Sequence, residues 1–161
     1  MELVMDSCST ILLAKATVLE ICSSIYDLSL TPEVYAEVLA GKNKLFPDAV
    51  LAEKLKNEQK IKVENAESKL TKKFEQDFNM GAGEASIVAV GVNNSNKIVV
   101  TDNRQGRMAA KINNLQLVGS LDIIAALYQQ QKINKDKALA ALKTLQEEGW
   151  FEPLLIEMAL E

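Results

Sequence analysis

Apolar residues along this chain follow two rhythms, and their alternation predicts an α/β fold. The runs Leu3-Val4-Met5 and Ile98-Val99-Val100 are short and apolar, as expected of strands covered on both faces, and Tyr26 to Leu30 and Leu115 to Val118 read as two further strands. Lys60 to Glu64 alternates charged and apolar positions, which predicts a strand at a sheet edge with one face in water. Between these runs the spacing becomes helical. Ser9 to Glu20 sets Ile11, Leu12, Leu13, Ala16 and Leu19 against Lys15 and Glu20, and predicts one crossover helix. Thr31-Pro32 is a helix start, with Thr as N-cap and Pro in the first turn, for a helix reaching about Ala40 and closed by Gly41. Further helices are predicted over Pro47 to Glu58, over Ala66 to Phe78, from Arg104 through Ile112, and over Leu121 to Gln130 and Lys135 to Glu147. Gly119-Ser120 supplies a turn and an N-cap for the first of the last two.

The stretch from Met80 to Gly106 is the centre of this pattern. Ala85 to Val92 carries no charge on any side, so a helix there must be interior. A polar turn, Asn93 to Asn96, leads into the β-branched run Ile98 to Val100, and a parallel sheet follows from such doubly covered strands. Glu84 opens the interior helix and Asp102 follows the strand; at the N-terminus, Asp6 likewise follows Leu3 to Met5. In open parallel sheets, ligands bind outside the carboxyl ends of the strands where strand order reverses. Asp6 and Asp102 would face each other there if their strands are neighbours, and a proton or cation must then offset their repulsion. With Glu84 near, a hard divalent metal is the natural solution. The helix after Thr31 adds Glu33, whose first-turn position the helix dipole explains, and Glu37, which is either a solvated acid or a fourth carboxylate turned toward the crevice.

Composition narrows the chemistry. The chain has 161 residues, 48% hydrophobic, with no linker-like segment, and reads as one domain over 1–161. Without any histidine, serine-type triads, HExxH zinc sites and imidazole bases are excluded, so carboxylates must carry acid, base or metal chemistry. Cys8 and Cys22 form no CxxC pair and read as buried thiols. MELVMD has no basic leader and no run approaches a membrane span, which points to a cytoplasmic protein. The net charge of −4 is unfavourable for a polyanionic partner, but Lys15, Lys42, Lys44, Arg104 and Arg107 lie on segments that could flank the crevice. For Arg104 and Arg107 the alternative is ion pairing with neighbouring acids. Trp150 to Leu160 places Phe151, Leu154, Leu155, Met158 and Leu160 on one apolar face, which must pack on the body or on a second subunit.

Asp6-Ser7 after a strand, TPEVYAEV with Glu37, GAGEASIVAVG with Glu84, and IVVTDNRQGR followed by LVGSLDII together resemble a PIN-domain protein. The likeness is greatest to the prokaryotic subgroup related to toxin-antitoxin ribonucleases, and it extends through FPDA near Asp48 and LQEEGW near Gly149. The resemblance implies a three-layer α/β/α, Rossmann-like fold and a ribonuclease using Mg²⁺ or Mn²⁺. It makes Asp6 the central ligand, with Glu84 and Asp102 completing the set, Glu37 acting through metal-held water or orienting the nucleophile, and Ser7 and Ser9 donating hydrogen bonds to the carboxylates. Arg104, Arg107 and Lys15 would contact RNA. It further implies a homodimer and a possible antitoxin partner. The chain departs from the pattern at Asn103, where related sequences often have an acid: either Asp102 supplies the carboxylate, or Asn103 binds metal weakly as an amide. The rival reading is a non-catalytic interaction module on the same fold.

Overall fold

The computed structural model describes residues 1–40, 46–149, 151–152 and 158–159. Five strands, β1 (Glu2–Met5), β2 (Asp27–Leu30), β3 (Ile61–Val63), β4 (Lys97–Val100) and β5 (Leu117–Val118), form one sheet in the order β3-β2-β1-β4-β5. Every pairing is parallel, with Leu3 opposite both Leu28 and Ile98, and Val100 opposite both Met5 and Val118. The chain therefore builds outward from β1 in one direction, returns, and builds outward in the other; strand order reverses between β1 and β4. That reversal puts the ends of Leu3-Val4-Met5 and Ile98-Val99-Val100 side by side.

The helices are α1 (Ser7–Lys15), α2 (Leu19–Ile25), α3 (Pro32–Leu39), α4 (Pro47–Asn57), α5 (Ser68–Phe78), α6 (Ala82–Asn93), α7 (Arg104–Ile112), α8 (Ser120–Gln129) and α9 (Lys135–Glu148). Right-handed crossovers send α1 to one face of the sheet and α6 to the other, giving the three-layer α/β/α arrangement. On one side α1 packs with α4, α8 and α9; on the other α6 packs with α5 and α7, and α3 touches both α1 and α6. Every residue of α6 from Ala85 to Gly91 is buried, as its lack of charge requires. Among the described residues no single helix is long and apolar enough to cross a membrane.

The stretch Ser9 to Glu20 is not one helix. After Lys15 the chain turns by 110° into α2, with Thr17 left-handed at φ 59°. The Val18 N–H bonds back to the Leu13 carbonyl and the Thr17 N–H to the Ala14 carbonyl, the paired closure that ends many helices. Glycine usually fills that left-handed position, so the threonine gave no warning; complete burial of Val18 and Leu19 against the core outweighs its strain. Gln59, Asn114 and Gln131 close α4, α7 and α8 in the same way. Gly119, rather than Ser120, is the N-cap of α8, its N–H held by the Asp122 carboxylate. Gly41, Lys42, Lys44, Trp150, Leu154, Leu155 and Leu160 lie outside the described residues; Met158 is exposed and Phe151 half-buried.

One glycine is set by close approach rather than by backbone shape. A Cβ on Gly91 would stand 2.8 Å from Val99 Cγ2 and 2.9 Å from a Leu115 methyl, because α6 lies directly on β4 there. Gly91→Ala gains about 1 kcal/mol of helix propensity but overpacks a buried contact, at a cost of roughly 1–3 kcal/mol. We expect the packing term to win and the melting temperature to fall by about 2–4 °C; a variant that melts higher than the parent would show that the layers can separate freely.

Candidate active site

Asp6 ends β1 and starts α1. Its N–H completes the ladder by bonding the Val100 carbonyl, and its own carbonyl accepts the Thr10 hydroxyl at 2.7 Å. Its carboxylate caps α1: Oδ1 accepts the Ser9 N–H at 2.7 Å, while Oδ2 accepts the Thr101 hydroxyl at 2.5 Å. Thr101 is turned toward it because its oxygen accepts the Asn103 N–H at 3.1 Å. Asp6 is 2% exposed. That burial pushes its pKa up to about 6, with the charge of Asp102 adding to the shift and the bonds from Thr101 and Ser9 opposing it.

Asp102 leaves the end of the neighbouring strand and is held from two helices. Oδ2 accepts the Ser9 hydroxyl at 3.2 Å and the Ser120 hydroxyl at 2.5 Å, and Oδ1 accepts the Ser120 N–H at 2.9 Å. Ser9 therefore joins the two aspartates, its amide on one and its hydroxyl on the other. Neither Thr101 nor Ser120 was singled out as a partner of these acids from sequence; both directly adjoin recognised turn or strand ends, which was the available signal.

Glu37 is exposed on α3, and its carboxylate accepts the Ser7 hydroxyl at 2.5 Å. Gly83 makes room for it: a Cβ there would stand 2.7 and 3.0 Å from the two carboxylate oxygens. Glu37 is thus turned toward the start of α6. Glu84, in the first turn of α6, folds back so that its Oε2 lies 2.8 Å from where a Gly81 Cβ would be. Cys8 reports the combined field of the acids. Its thiol is pushed up to about 11 by partial burial first and then by Asp6, Asp102 and Glu84, with Lys15 opposing. Cys22 is buried, but Cys8 is exposed, contrary to the expectation of two buried thiols, because it follows Asp6 on the outward side of the first turn of α1. Helices α1, α3, α6, α7 and α8 all begin at this end of the sheet, where their N-terminal dipole charge favours anions.

The basic residues divide. Arg107 donates from Nη1 to the Thr101 carbonyl at 3.0 Å and lines, with Asp102, a cleft of about 490 Å³. Arg104 is exposed one turn earlier on α7, and both arginines line a second depression with Lys111. Among the described residues neither arginine forms an ion pair. Lys15 is not at the crevice: it ends α1, about 12 Å along the axis from Ser7 at 1.5 Å per residue, and pairs with Glu148 at 3.2 Å. The amide oxygen of Asn103 accepts the Gly106 N–H at 3.0 Å as the N-cap of α7, the role that Asp6 Oδ1 plays for α1.

Among the described residues no three acidic or thiol side chains stand together closely enough to cage a metal ion. Asp6, Glu37 and Asp102 are instead turned onto hydroxyl or amide donors. The donor set nevertheless fits a hard divalent cation: it is all oxygen and acidic, and two of its carboxylates share Ser9. Magnesium keeps several waters and takes only one or two carboxylates from the protein, so a pair suffices. A family model described as a PIN domain matches residues 2–160. No curated protein and no solved structure matches the chain.

Proposed function

The chain belongs to the PIN-domain family, a nuclease-type fold whose members typically use divalent metals, and from that premise we propose that it is a ribonuclease dependent on Mg²⁺ or Mn²⁺. The observation that carries this reading is the placing of Asp6 and Asp102 on one serine at the point where strand order reverses. Asp6 and Asp102 would hold the ion as the carboxylate pair that magnesium needs, with Glu84 outside their direct cage. A bound divalent ion supplies an acidified water and offsets charge on the leaving oxygen. Glu37, fixed by Ser7, orients the attacking water. Arg107 and Arg104 hold phosphate, and the helix N-termini gathered at this edge add to their pull. Hydrolysis adds water across one phosphorus–oxygen bond and leaves a phosphate on one product and a hydroxyl on the other. Asp102, not Asn103, is the ligand in this reading, because it carries the charge that a hard cation favours and shares Ser9 with Asp6. The same reading includes a cytoplasmic homodimer, and a toxin role opposed by an antitoxin.

The hydroxyl donors to Asp6, Glu37 and Asp102 favour a second reading, a non-catalytic module whose acids serve the fold. Incubating purified protein with mixed RNA oligonucleotides and Mn²⁺ or Mg²⁺, with and without chelator, separates them. We expect cleavage that the chelator stops and that Asp102→Asn abolishes but Asn103→Asp does not. Absence of metal-dependent cleavage on every substrate, with the biological effect intact in Asp6→Ala, would establish the second reading instead.

A further inference from the structure

The cleft beside Asp102 has a composition that phosphate contact alone does not explain. One wall, around Gly119, carries Asp102, Arg107 and Asp122; Leu121, Phe151 and Glu152 also line the cleft. Its volume of about 490 Å³ is within the usual range for small-molecule pockets. Two glycines shape it. A Cβ on Gly119 would stand 2.6 Å from Asp102 Oδ1 and 3.2 Å from Arg107 Nη1, so its absence keeps that wall open. A Cβ on Gly149 would stand 2.6 and 2.9 Å from the Phe151 ring, so the ring lies over bare backbone, half-buried against the core. Gly149 has a negative φ of −115°, which any residue adopts; the ring, not the backbone, is what needs a glycine there.

We propose that this cleft is a base subsite for single-stranded RNA, taking the nucleobase next to the cut phosphate, with Phe151 as its stacking surface. The proposal rests on the ribonuclease reading above. Aromatic rings bind splayed-out bases by stacking, and base identity is read on the Watson–Crick edge. Apart from Arg107, which is assigned to the phosphate, the charged groups lining the cleft are acceptors only: Asp102, Asp122 and Glu152. Guanine presents adjacent N1–H and N2–H donors that one carboxylate can receive together, whereas uracil presents a single N–H between two carbonyl oxygens that the acids repel. The subsite therefore favours guanine and disfavours uracil. Arg107, on the Asp102 wall, is placed to hold the phosphate joined to that nucleotide.

The test uses the full chain in two measurements. In the first, cleavage of oligonucleotides varied at each position around the cut is followed for the parent, Phe151→Ala, Phe151→Trp, Gly149→Ala and Glu152→Gln. The parent should prefer guanine at one flanking position. Phe151→Ala should raise KM about tenfold with kcat little changed, in line with the loss of one stacked base, and Phe151→Trp should restore it. Gly149→Ala should mimic Phe151→Ala by displacing the ring, and Glu152→Gln should weaken the guanine preference. In the second measurement, GMP and UMP are titrated into parent and Phe151→Ala in chelator by NMR, where GMP alone should shift the parent's Phe151 ring signals. If the parent cuts RNA with no base preference and GMP perturbs nothing, the base subsite is wrong while the ribonuclease reading stands. If GMP binds at Phe151 but no RNA is cut, the ribonuclease reading fails and the base site survives. Equal behaviour of parent and Phe151→Ala in both measurements overturns the assignment of the ring.

Discussion

Asp6→Asn is expected to remove RNA cleavage and, in chelator above pH 6, to make the protein more stable than the parent. Loss of activity should be at least about a hundredfold, the low end of what deleting one preorganised polar group costs other active sites. The stability gain follows from burial. The Asp6 carboxyl is raised from 3.8 to about 6 in the fold, so folding favours its protonated form. A group raised in this way contributes stability that is complete below its unfolded value near 3.8 and is lost as pH rises through 6. At pH 8 the ionised side chain therefore costs roughly 3 kcal/mol, at about 1.4 kcal/mol per unit. Asparagine carries no charge at any of these pH values. The variant should melt higher than the parent by about 5–10 °C at pH 8, and the difference should close as pH approaches 4. Divalent metal should raise the parent's melting temperature and leave that of the variant unmoved. A variant that melts below the parent at pH 8 in chelator would show that the buried charge is not a cost.

Thr101→Val should have the opposite sign and the reverse pH dependence. Valine keeps the shape of threonine but removes the hydroxyl that donates to Asp6 Oδ2 and accepts from the Asn103 N–H. Thr101 is fully buried, so no water replaces it at the carboxylate. A buried charged acceptor left short of a donor costs about 2–3 kcal/mol, which should be largest at pH 8 and shrink as pH falls through about 6, where Asp6 takes up a proton. The midpoint for Asp6 should rise above that of the parent. In the double variant with Asp6→Asn most of the cost should vanish, a coupling of about 1–3 kcal/mol. If Thr101→Val costs as much at pH 4 as at pH 8, the hydroxyl serves the α7 turn through Asn103 and not the carboxylate.

What was legible in the sequence was whatever depends on runs of one residue class. The uncharged stretch from Ala85 to Val92 could only be interior, and α6 is; the short apolar runs ending in Asp6 and Asp102 could only be covered strands, and β1 and β4 are neighbours. Details decided by single hydrogen bonds were not legible. Ser9, Thr101 and Ser120 could equally have served as caps or turns, and only the three-dimensional pairing shows which carboxylate each meets. Thr17 closes α1 in a conformation that threonine disfavours, so propensity pointed to a continuous helix. Lys15 lies in the same helix as Ser9, yet roughly 1.7 turns away from it in the direction of α9, and pattern alone does not distinguish the two ends. Phe151 shows the same limit: its apolar stretch left open packing on the body or on a second subunit, and the ring packs on the core at the border of the cleft beside Asp102.

The position of β1 at the middle of the sheet also bears on how the protein is made. The first strand to leave the ribosome is the one whose second neighbour is nearly the last: Asp6 and Thr101, in contact in the fold, are 95 residues apart in the chain. At a synthesis rate of about 5–20 residues per second, roughly 5–20 s separate their emergence. Throughout that interval Leu3, Val4 and Met5 have β2 on one side and an open, apolar edge on the other, the kind of edge that recruits other chains. The nascent chain is then at its most aggregation-prone and a natural client for chaperones. Its acidic pair is also still incomplete, since the two aspartates cannot meet until β4 has been delivered. A cell that makes this protein has no complete acidic site until most of the chain has been synthesised.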